Sequence, residues 1–407
     1  MTETGRPRPD DGLRVEVVPS LRPARLLRVL RRLRLNKLLE LLLWPDESIF
    51  WLLPALRASR RLTRELTPRA IVVFMMPYST GLVGSMLSRR AGLPLIVNLD
   101  DSLTCSDMHP HFPTRLHYLM ARGLEDFYAR RADATIYVSE TNLQAIRSRL
   151  PDVDPQRFHL VRYGADSAEV VAPPSQSADF EIAYVGAMTG WWSLIDSADG
   201  PLKAIYGAWS RLGRYQRTAL DPRSSSPAFI GRAILQATSE HPDWNGRVKI
   251  AIYGNPYPAG LVSHALADSG VDRVVSVAPP VPHDEVPALL ARADLLFLTL
   301  PGRKDGSRGG RISAKTYEYL TTNRPILAAV PHGENWDYLA DKPGVWLVEP
   351  DDTSSMRAVV AELAAAKFAG RPLTFNRAEL REQLSYARRA EEFAAVIEAA
   401  IDHRRRT

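Results

Sequence analysis

Along this chain, short continuous apolar runs alternate with stretches in which apolar residues return every three or four positions. "AIVVFMM" (70–76), "LPLIVNL" (93–99), "ATIYV" (134–138) and "FHLV" (158–161) are runs of the first kind. Apolar runs of that length, bounded by polar residues, predict strands buried on both faces. Between them, "WLLPALRASRRLTREL", "GLVGSMLSRRAG", "PTRLHYLMARGLEDFYARRA" and "ETNLQAIRSRL" carry the helical period, one with a glycine stop. Strand and helix in strict alternation predict a parallel, doubly wound sheet.

The alternation breaks at 169–180, "EVVAPPSQSADF", which has no period and reads as a linker. It resumes at Glu181 with "EIAYVG", "RVKIAIYG", "RVVSVA", "DLLFLTL", "PILAAV" and "GVWLVE", each followed by a loop. The polar, arginine-rich stretch from Gly200 to His241 is expected to contain an insertion or mobile loop. Helices close the chain, ending in the apolar "AEEFAAVIEAAI" (390–401). The expected organisation is one Rossmann-like domain over 1–168, a linker, a second over 181–385, and a helix over 386–407 that crosses back to the first. Two such sheets joined by a linker face each other across a cleft. "LRVEVVPS" near the start is expected to be a strand, but no strand with a glycine-rich loop opens the first domain.

Composition changes this picture little: 45% hydrophobic and 24% charged residues belong to an ordinary globular chain. The single cysteine, Cys105, excludes an internal disulfide framework and fits a reducing, cytoplasmic setting. No secretory leader is evident, and no apolar run approaches the ~18 residues of a spanning helix. Charge adds more. Residues 1–70 hold 15 Lys and Arg against 8 Asp and Glu, which is more than the whole chain's net +6. Much of that excess lies in "RPARLLRVLRRLRLNK" (22–37), followed by "LLELLLW". As a helix, it groups Leu26, Val29, Leu30 and Leu33 on one face and Arg25, Arg28, Arg31 and Arg32 on the other. Segment 22–44 therefore fits a helix lying on an anionic membrane surface, or a solvated helix packing its apolar face on its own domain. Nucleic acid is disfavoured, because no aromatic residues interleave with the arginines.

Candidate chemistry collects at strand ends in the second half. Gly186 in "YVGAM" and Gly254 in "IYGNP" stand where a backbone must approach something closely. "LPGRKDGSRGGRISAK" (300–315) sets Gly306, Gly309 and Gly310 among Arg303, Lys304, Arg308, Arg311 and Lys315, with one acid. Glycine-rich leaders into a helix start near Ser313, surrounded by cations, suit a diphosphate. Glu318, one turn beyond Lys315, suits the vicinal hydroxyls of a ribose; the alternative is a helix-surface glutamate paired with a neighbouring cation. In the first half Asp100 and Asp101 end a strand and Ser79 follows one. The acids can orient an acceptor or take its proton, or else serve as helix caps or turn residues.

Taken in order, "YVGAM", "IAIYGNP", "VPHDEVPALLARADLLFLTLP", "KTYEYLTTNRPIL" and "GVWLVEPDD" resemble the nucleotide-binding domain of group 1, family 4-like retaining glycosyltransferases of the GT-B fold. "PYSTGLVGSMLSRRAGLPLIVNLDD" and "RADATIYVSETNLQAI" extend the resemblance to the first half, over most of 66–400. The resemblance implies an α/β protein with two Rossmann-like domains facing a cleft, the first lacking its leading strand. It implies transfer of a sugar from a nucleotide diphosphate donor to a hydroxyl acceptor with retention of configuration, without cofactor or metal. Glu318 takes the place of the family's ribose-binding glutamate, and Gly310 that of a second glutamate eight positions earlier. Asn323 replaces a usual glycine.

The donor site is thus expected at Gly186, Gly254, Arg308, Gly310, Arg311, Ile312, Lys315 and Glu318, with Arg311, Lys315 and Asp101 in the catalytic step. Ser79, Asp100 and Asp101 form the acceptor side. The acceptor is an unknown hydroxyl compound, a lipid-linked one included, and cell-surface polysaccharide or glycolipid assembly is the expected setting. Two rivals stay open: a non-catalytic partner of the same fold, and a nucleotide-sugar epimerase using His109, His111 or His117.

Overall fold

The computed structural model describes residues 14–32, 36–165, 173, 175, 177–186, 188, 212–254 and 259–406, with only the backbone at 26, 31, 36 and 259. Half of the expected linker (169–172, 174 and 176), and 200–211 of the stretch expected to contain an insertion, lie outside these residues.

Three helices come first: α1 (Ala24–Arg32), α2 (Asn36–Leu42) and α3 (Leu52–Leu66). The first sheet then forms from β1 (Ile71–Phe74), β2 (Leu95–Asp100), β3 (Ala134–Tyr137) and β4 (Phe158–Leu160), parallel and side by side in that order. Its crossovers are α4 (Ser79–Ala91), α5 (Arg115–Arg131) and α6 (Glu140–Arg149). Thr114 and Ser139 cap α5 and α6 by accepting from the third residue on, which fixes where each strand-end loop turns into helix.

The order never reverses, so β1 stands at an edge where a doubly wound sheet would carry further strands. The segment expected to be a strand, around Arg14–Ser20, is not one. Val15 and Val17 are exposed, while Arg14 and Glu16 pair with Glu65 and Arg61 of α3 and the Val18 carbonyl accepts from Trp51. Its charges draw it along a helix instead of to the sheet edge.

The second sheet comprises β5 (Phe180–Val185), β6 (Val248–Tyr253), β7 (Val275–Ala278), β8 (Leu295–Thr299), β9 (Ile326–Ala329) and β10 (Val345–Val348). Its order is β7-β6-β5-β8-β9-β10, all parallel. Direction reverses between β5 and β8, which opens a crevice at their carboxyl ends. Helix α7 (Pro227–Glu240) fills the later part of 200–241, the stretch expected to contain an insertion or mobile loop. Ile230, Ala233, Ile234 and Ala237 are fully buried at helical spacing, a signal masked in the sequence by the arginines before it.

The remaining helices are α8 (Ala259–Asp268), α9 (Val286–Arg292), α10 (Ala314–Leu320), α11 (Glu334–Leu339), α12 (Thr353–Phe368), α13 (Ala378–Leu384) and α14 (Tyr386–Arg406). Helix α14 lies on the first sheet: Val396 and Ala400 join Ile96, Ala134, Ile136 and Val161 in one apolar cluster. Arg69–Glu398 at 2.7 Å and Arg404–Asp133 at 3.2 Å hold its flanks. No helix among the described residues is long and apolar enough to cross a membrane.

Helix α4 approaches β1 so closely that a methyl group on Gly84 would collide with Val73 and press on Leu95. Gly84→Ala is therefore expected to destabilise the first domain by about 1–3 kcal/mol through overpacking, read as a lowered Tm.

Candidate functional site

At the reversal point the loops after β5 and β8 meet. Gly186 follows β5 with φ 132, a region that side-chain-bearing residues avoid, and a Cβ there would overlap the Lys315 side chain. Gly254, with φ 118, lies behind it, and its own Cβ would stand 2.9 Å from the Gly186 carbonyl carbon. The close approach read from these two glycines is thus to a lysine stem. Lys315 leaves α10, runs over Gly186 and sets its ammonium 5.4 Å from the Tyr184 ring centroid. Tyr319, on the same helix, accepts the Val185 N–H through its hydroxyl at 3.0 Å and so pins α10 beneath the end of β5.

Charge at this point is unbalanced. Burial, reinforced by the Arg311 charge and opposed by Glu318, pulls the Lys315 ammonium below its ordinary value. Neither Lys315 nor Arg311 has an ion pair among the described residues. Burial raises the phenol of Tyr184 to about 12, with the Arg311 charge opposing. Glu318 is half-buried, and among the described residues its carboxylate makes neither hydrogen bond nor ion pair. The surface ion pair offered as the alternative for Glu318 is therefore absent. Two adjoining cations, Arg311 in the loop before α10 and Lys315 on it, together with the unengaged carboxylate of Glu318, can receive an anion and a hydroxyl-bearing neighbour.

The other expected donor residues divide. Arg308 is 60% exposed and paired with Asp337, outside the Lys315 cluster. Ile312 packs against the apolar cluster of the second sheet. Gly310 is a seam residue: a Cβ there would stand 2.7 Å from the Thr141 Cβ of the first domain. Gly309 is equally confined, 2.7 Å from an Asp107 carboxylate oxygen. A glutamate side chain at 310 has no room in this arrangement.

Asp100 ends β2 in the left-handed region, φ 48, where the pairing with β3 slips register. A non-glycine residue held so at a strand end is strained, and such strain gathers at functional sites. Asn98 donates to its carboxylate at 2.9 Å, while burial, aided by the Asp101 charge, raises its pKa. Asp101 accepts from Ser106 at 3.0 Å. Both acids act on the phenol of Tyr163, which meets Tyr317 of α10 edge-on at 6.3 Å. The acids and α10 thus border one seam. Ser79 does not offer an open contact: it is fully buried, donating its N–H and hydroxyl to Asp46 at 2.9 and 2.8 Å.

The residue that organises the seam escaped the sequence reading. Glu334 opens α11 after β9, and its carboxylate accepts four hydrogen bonds from the first domain. The donors are the Ser139 hydroxyl (2.6 Å), the Glu140 and Thr141 N–H groups (2.8 and 3.0 Å) and Arg162 (2.7 Å). It therefore seats an anion on the amino end of α6. Burial pushes its pKa up, but these donors outweigh burial and hold it below the ordinary value. A glutamate following "PHG" at a strand end was the available signal; without knowledge of α6 opposite, nothing distinguished it. A second bridge joins Asp107 to Arg303 (2.6 Å) and Arg217 (3.4 Å) of the second domain.

Residues 2–164 match the family described as glycosyl transferase 4-like domain. Among solved structures, HepE of Anabaena in complex with UDP-glucose is 13% identical, with a TM-score of 0.55 over 85% of this chain and 82% of that one. Sucrose-phosphate synthase from Thermosynechococcus elongatus is 12% identical, TM-score 0.54, over 88% and 79%. An α,α-trehalose-phosphate synthase (UDP-forming) from Burkholderia vietnamiensis is 12% identical, TM-score 0.53, over 88% and 78%. No curated protein sequence matches the chain. The fold is GT-B, with two Rossmann-like domains.

Replacing Glu334 by alanine leaves Arg162 and three other donors facing each other without an acceptor. Loss of one partner of a buried charged pair costs about 3–5 kcal/mol. Glu334→Ala is expected to loosen the domains, seen as a larger radius of gyration in X-ray scattering and a lower Tm. Since the carboxylate is held below its ordinary value, the latch is complete at neutral pH and is lost as pH falls through that depressed value. The opening on acidification should be absent from Glu334→Gln.

Proposed function

We propose that the protein is a glycosyltransferase that moves a sugar from a nucleoside diphosphate donor to a hydroxyl acceptor. The observation that carries this reading is the unpaired Lys315–Arg311 cation pair at the reversal point of the second sheet, with Glu318 unengaged beside it. In this reading the diphosphate meets Arg311 and Lys315, and the ribose hydroxyls donate to Glu318. Gly186 and Gly254 give the lysine its path, and Arg308 is dropped from the donor contacts. HepE with its UDP-glucose and the UDP-forming trehalose-phosphate synthase share the fold and supply the donor class by likeness.

The chemical step asks for charge stabilisation on the leaving diphosphate, which two partly desolvated cations provide without a metal. Asp101, with Asp100 behind it, orients the acceptor hydroxyl and receives its proton. No side chain in this arrangement serves as nucleophile, so retention of configuration is assigned to attack from the face the diphosphate leaves. A non-catalytic partner of the same fold is favoured by one observation, the blocked position of Gly310, where the family resemblance implies a glutamate. Donor hydrolysis without acceptor separates the two, because a scaffold releases no sugar. His109, His111 and His117 form no acid–base set beside α10, which leaves the epimerase reading without support.

Removing a charged hydrogen-bond partner costs roughly 1.5–3 kcal/mol, so Glu318→Ala is expected to weaken nucleoside diphosphate binding about tenfold or more in calorimetric titration. Lys315→Ala should depress turnover more than affinity. A bound diphosphate raises the lysine's depressed pKa, so affinity should hold at neutral pH and fall as pH rises past the free-state value. Lys315→Met should lose that dependence. Unchanged diphosphate affinity in both alanine variants would overturn the assignment.

We place the enzyme at the cytoplasmic face of a membrane, in polysaccharide or glycolipid assembly. Helix α1 presents Arg25, Arg28 and Arg32 outward, with Val29 exposed beside them and Leu38, Leu41 and Leu42 exposed on α2. Its apolar face is only partly free: Leu27 is buried against Leu39 and Leu43, and Leu30 packs on them. The side chains of Leu26 and Arg31, and residues 33–35, lie outside the described set. Each arginine near an anionic surface contributes about 1 kcal/mol. Sedimentation with phosphatidylglycerol-containing vesicles should show binding that high salt weakens and that glutamates at 25, 28 and 32 abolish.

A further inference from the structure

The first domain contains a cavity of about 520 Å³ that no part of the preceding reading uses, within the range of small-molecule sites, about 300–1,000 Å³. Its walls come from α2 and the turn after it, from the loops following β1 and β2, and from α5. Leu39, Leu43, Trp44, Leu103, Phe112 and Leu124 make most of the lining apolar. We propose that this cavity holds the hydrocarbon chain of a lipid-linked acceptor, threaded from the membrane-facing side of α1 and α2 toward Asp101. The word acceptor rests on the glycosyltransferase reading; the chain-binding site does not.

Three observations set the occupant and its direction. At one end, Leu39 and Leu43 line the cavity and also pack on Leu27 of α1, whose outward side carries Arg25, Arg28 and Arg32. Arg22, Arg28 and Arg32 border a hollow there, and Arg22 pairs with Glu47 of the cavity wall. That end therefore opens beside a surface complementary to anionic head groups. At the other end, Tyr78 and His109 meet through hydroxyl and Nε2 at 2.9 Å, and Asp101 acts electrostatically on both. The loop there is tied to the second domain: Arg217 donates to the His109 carbonyl at 3.2 Å, and His111–Phe112 pairs with Tyr215–Gln216. This end abuts the domain seam.

The third observation is His117, nine-tenths buried and lining the cavity. Its Nδ1 is held by the Thr114 hydroxyl at 2.8 Å, but its Nε2 has no partner among the described residues. Buried ring nitrogens are normally hydrogen-bonded, so this atom is matched to an oxygen of the ligand's linkage. Glu40, Asp46 and Glu47 also border the cavity, which disfavours a free fatty acid, whose carboxylate would meet like charge. A chain with a neutral, hydroxyl-bearing head fits; a sugar-headed lipid is of that class.

The test uses the full chain and a dodecyl glucoside carrying two bromine atoms in its chain, below its micelle concentration. Bromine quenches nearby indoles, and Trp44 lines the cavity. Saturable quenching is expected in the wild type, and Trp44→Phe should remove most of it. Ala121→Phe, which fills the cavity from α5, should weaken binding at least tenfold, while Tm and nucleoside diphosphate affinity stay unchanged. If that variant fails to fold, Ala121→Leu gives the same comparison at smaller volume. Absence of quenching, or equal affinity in the filled variants, overturns the proposal. Quenching that persists when no nucleoside diphosphate binds would leave a lipid site standing and remove the acceptor role. Transfer to dodecyl glucoside but not to glucose would establish both.

Discussion

The most densely bonded tie between the two domains is one buried carboxylate. Glu334 brings a negative charge from the second domain to the amino end of α6 in the first, where Ser139, Glu140, Thr141 and Arg162 converge on it. Burying a charge is costly unless it is paired and hydrogen-bonded, and this one is both. Four donors at 2.6–3.0 Å leave little freedom in the register of the two domains. The glycines follow from that register. With α6 drawn against the loop after β8, Gly309 and Gly310 stand where any Cβ meets Asp107 or Thr141. Gly333, φ 157, presses its backbone on Gly309, and the Glu334 N–H donates to the Gly309 carbonyl at 2.8 Å. A glutamate at 310 and a latch at 334 are mutually exclusive in this geometry. The glutamate that the family resemblance implies at 310 is therefore excluded sterically.

That same seam explains why cations gather where no anion offsets them. Lys315 lies on a helix whose depth is fixed by the Tyr319 bond to Val185, and Arg311 lies in the loop that leads into it. A lysine pulled below its ordinary pKa opposes folding in its charged form. In the proposed donor site a ligand anion would remove that penalty, so folding cost would become binding selectivity for diphosphate over a neutral group. The placement at the strand-order reversal, where parallel sheets receive ligands, is consistent with this accounting.

Much of the fold was legible because parallel strands buried on both faces announce themselves as unbroken apolar runs, and ten of them form the two sheets. Glycines at strand ends were legible too, though the object they make room for was a side chain of the chain itself. What the sequence could not carry was anything decided by two distant segments. Glu334 is an ordinary strand-end glutamate until Ser139 and Arg162 stand opposite, and Ser79 is an ordinary loop serine until Asp46 covers it. Helix α7 was lost for a different reason: its apolar period follows an arginine-rich arm, and local polarity outweighed periodicity. "LRVEVVPS" failed because alternating valines predict a strand only when one face finds a sheet. Its charges found α3 first.

The amino-terminal helices pack on α4 and on one another: Ala55 and Leu56 of α3 meet Val83 of α4, and Leu27 of α1 meets Leu39 and Leu43. Helix α2 and the turn after it bring Leu39, Glu40, Leu43 and Trp44 to one cavity, which α5 closes with His117, Ala121 and Leu124. Asp46 compensates locally by accepting from the first residue of α4 and from Ser48, so the turn after α2 is rigid although the space behind it is open. A rigid rim around an apolar hollow is the arrangement in which a ligand meets little reorganisation on entry. The basic outer face of α1 and the apolar cavity share their support, because Leu39 and Leu43 line the cavity and also hold Leu27 of α1 in place.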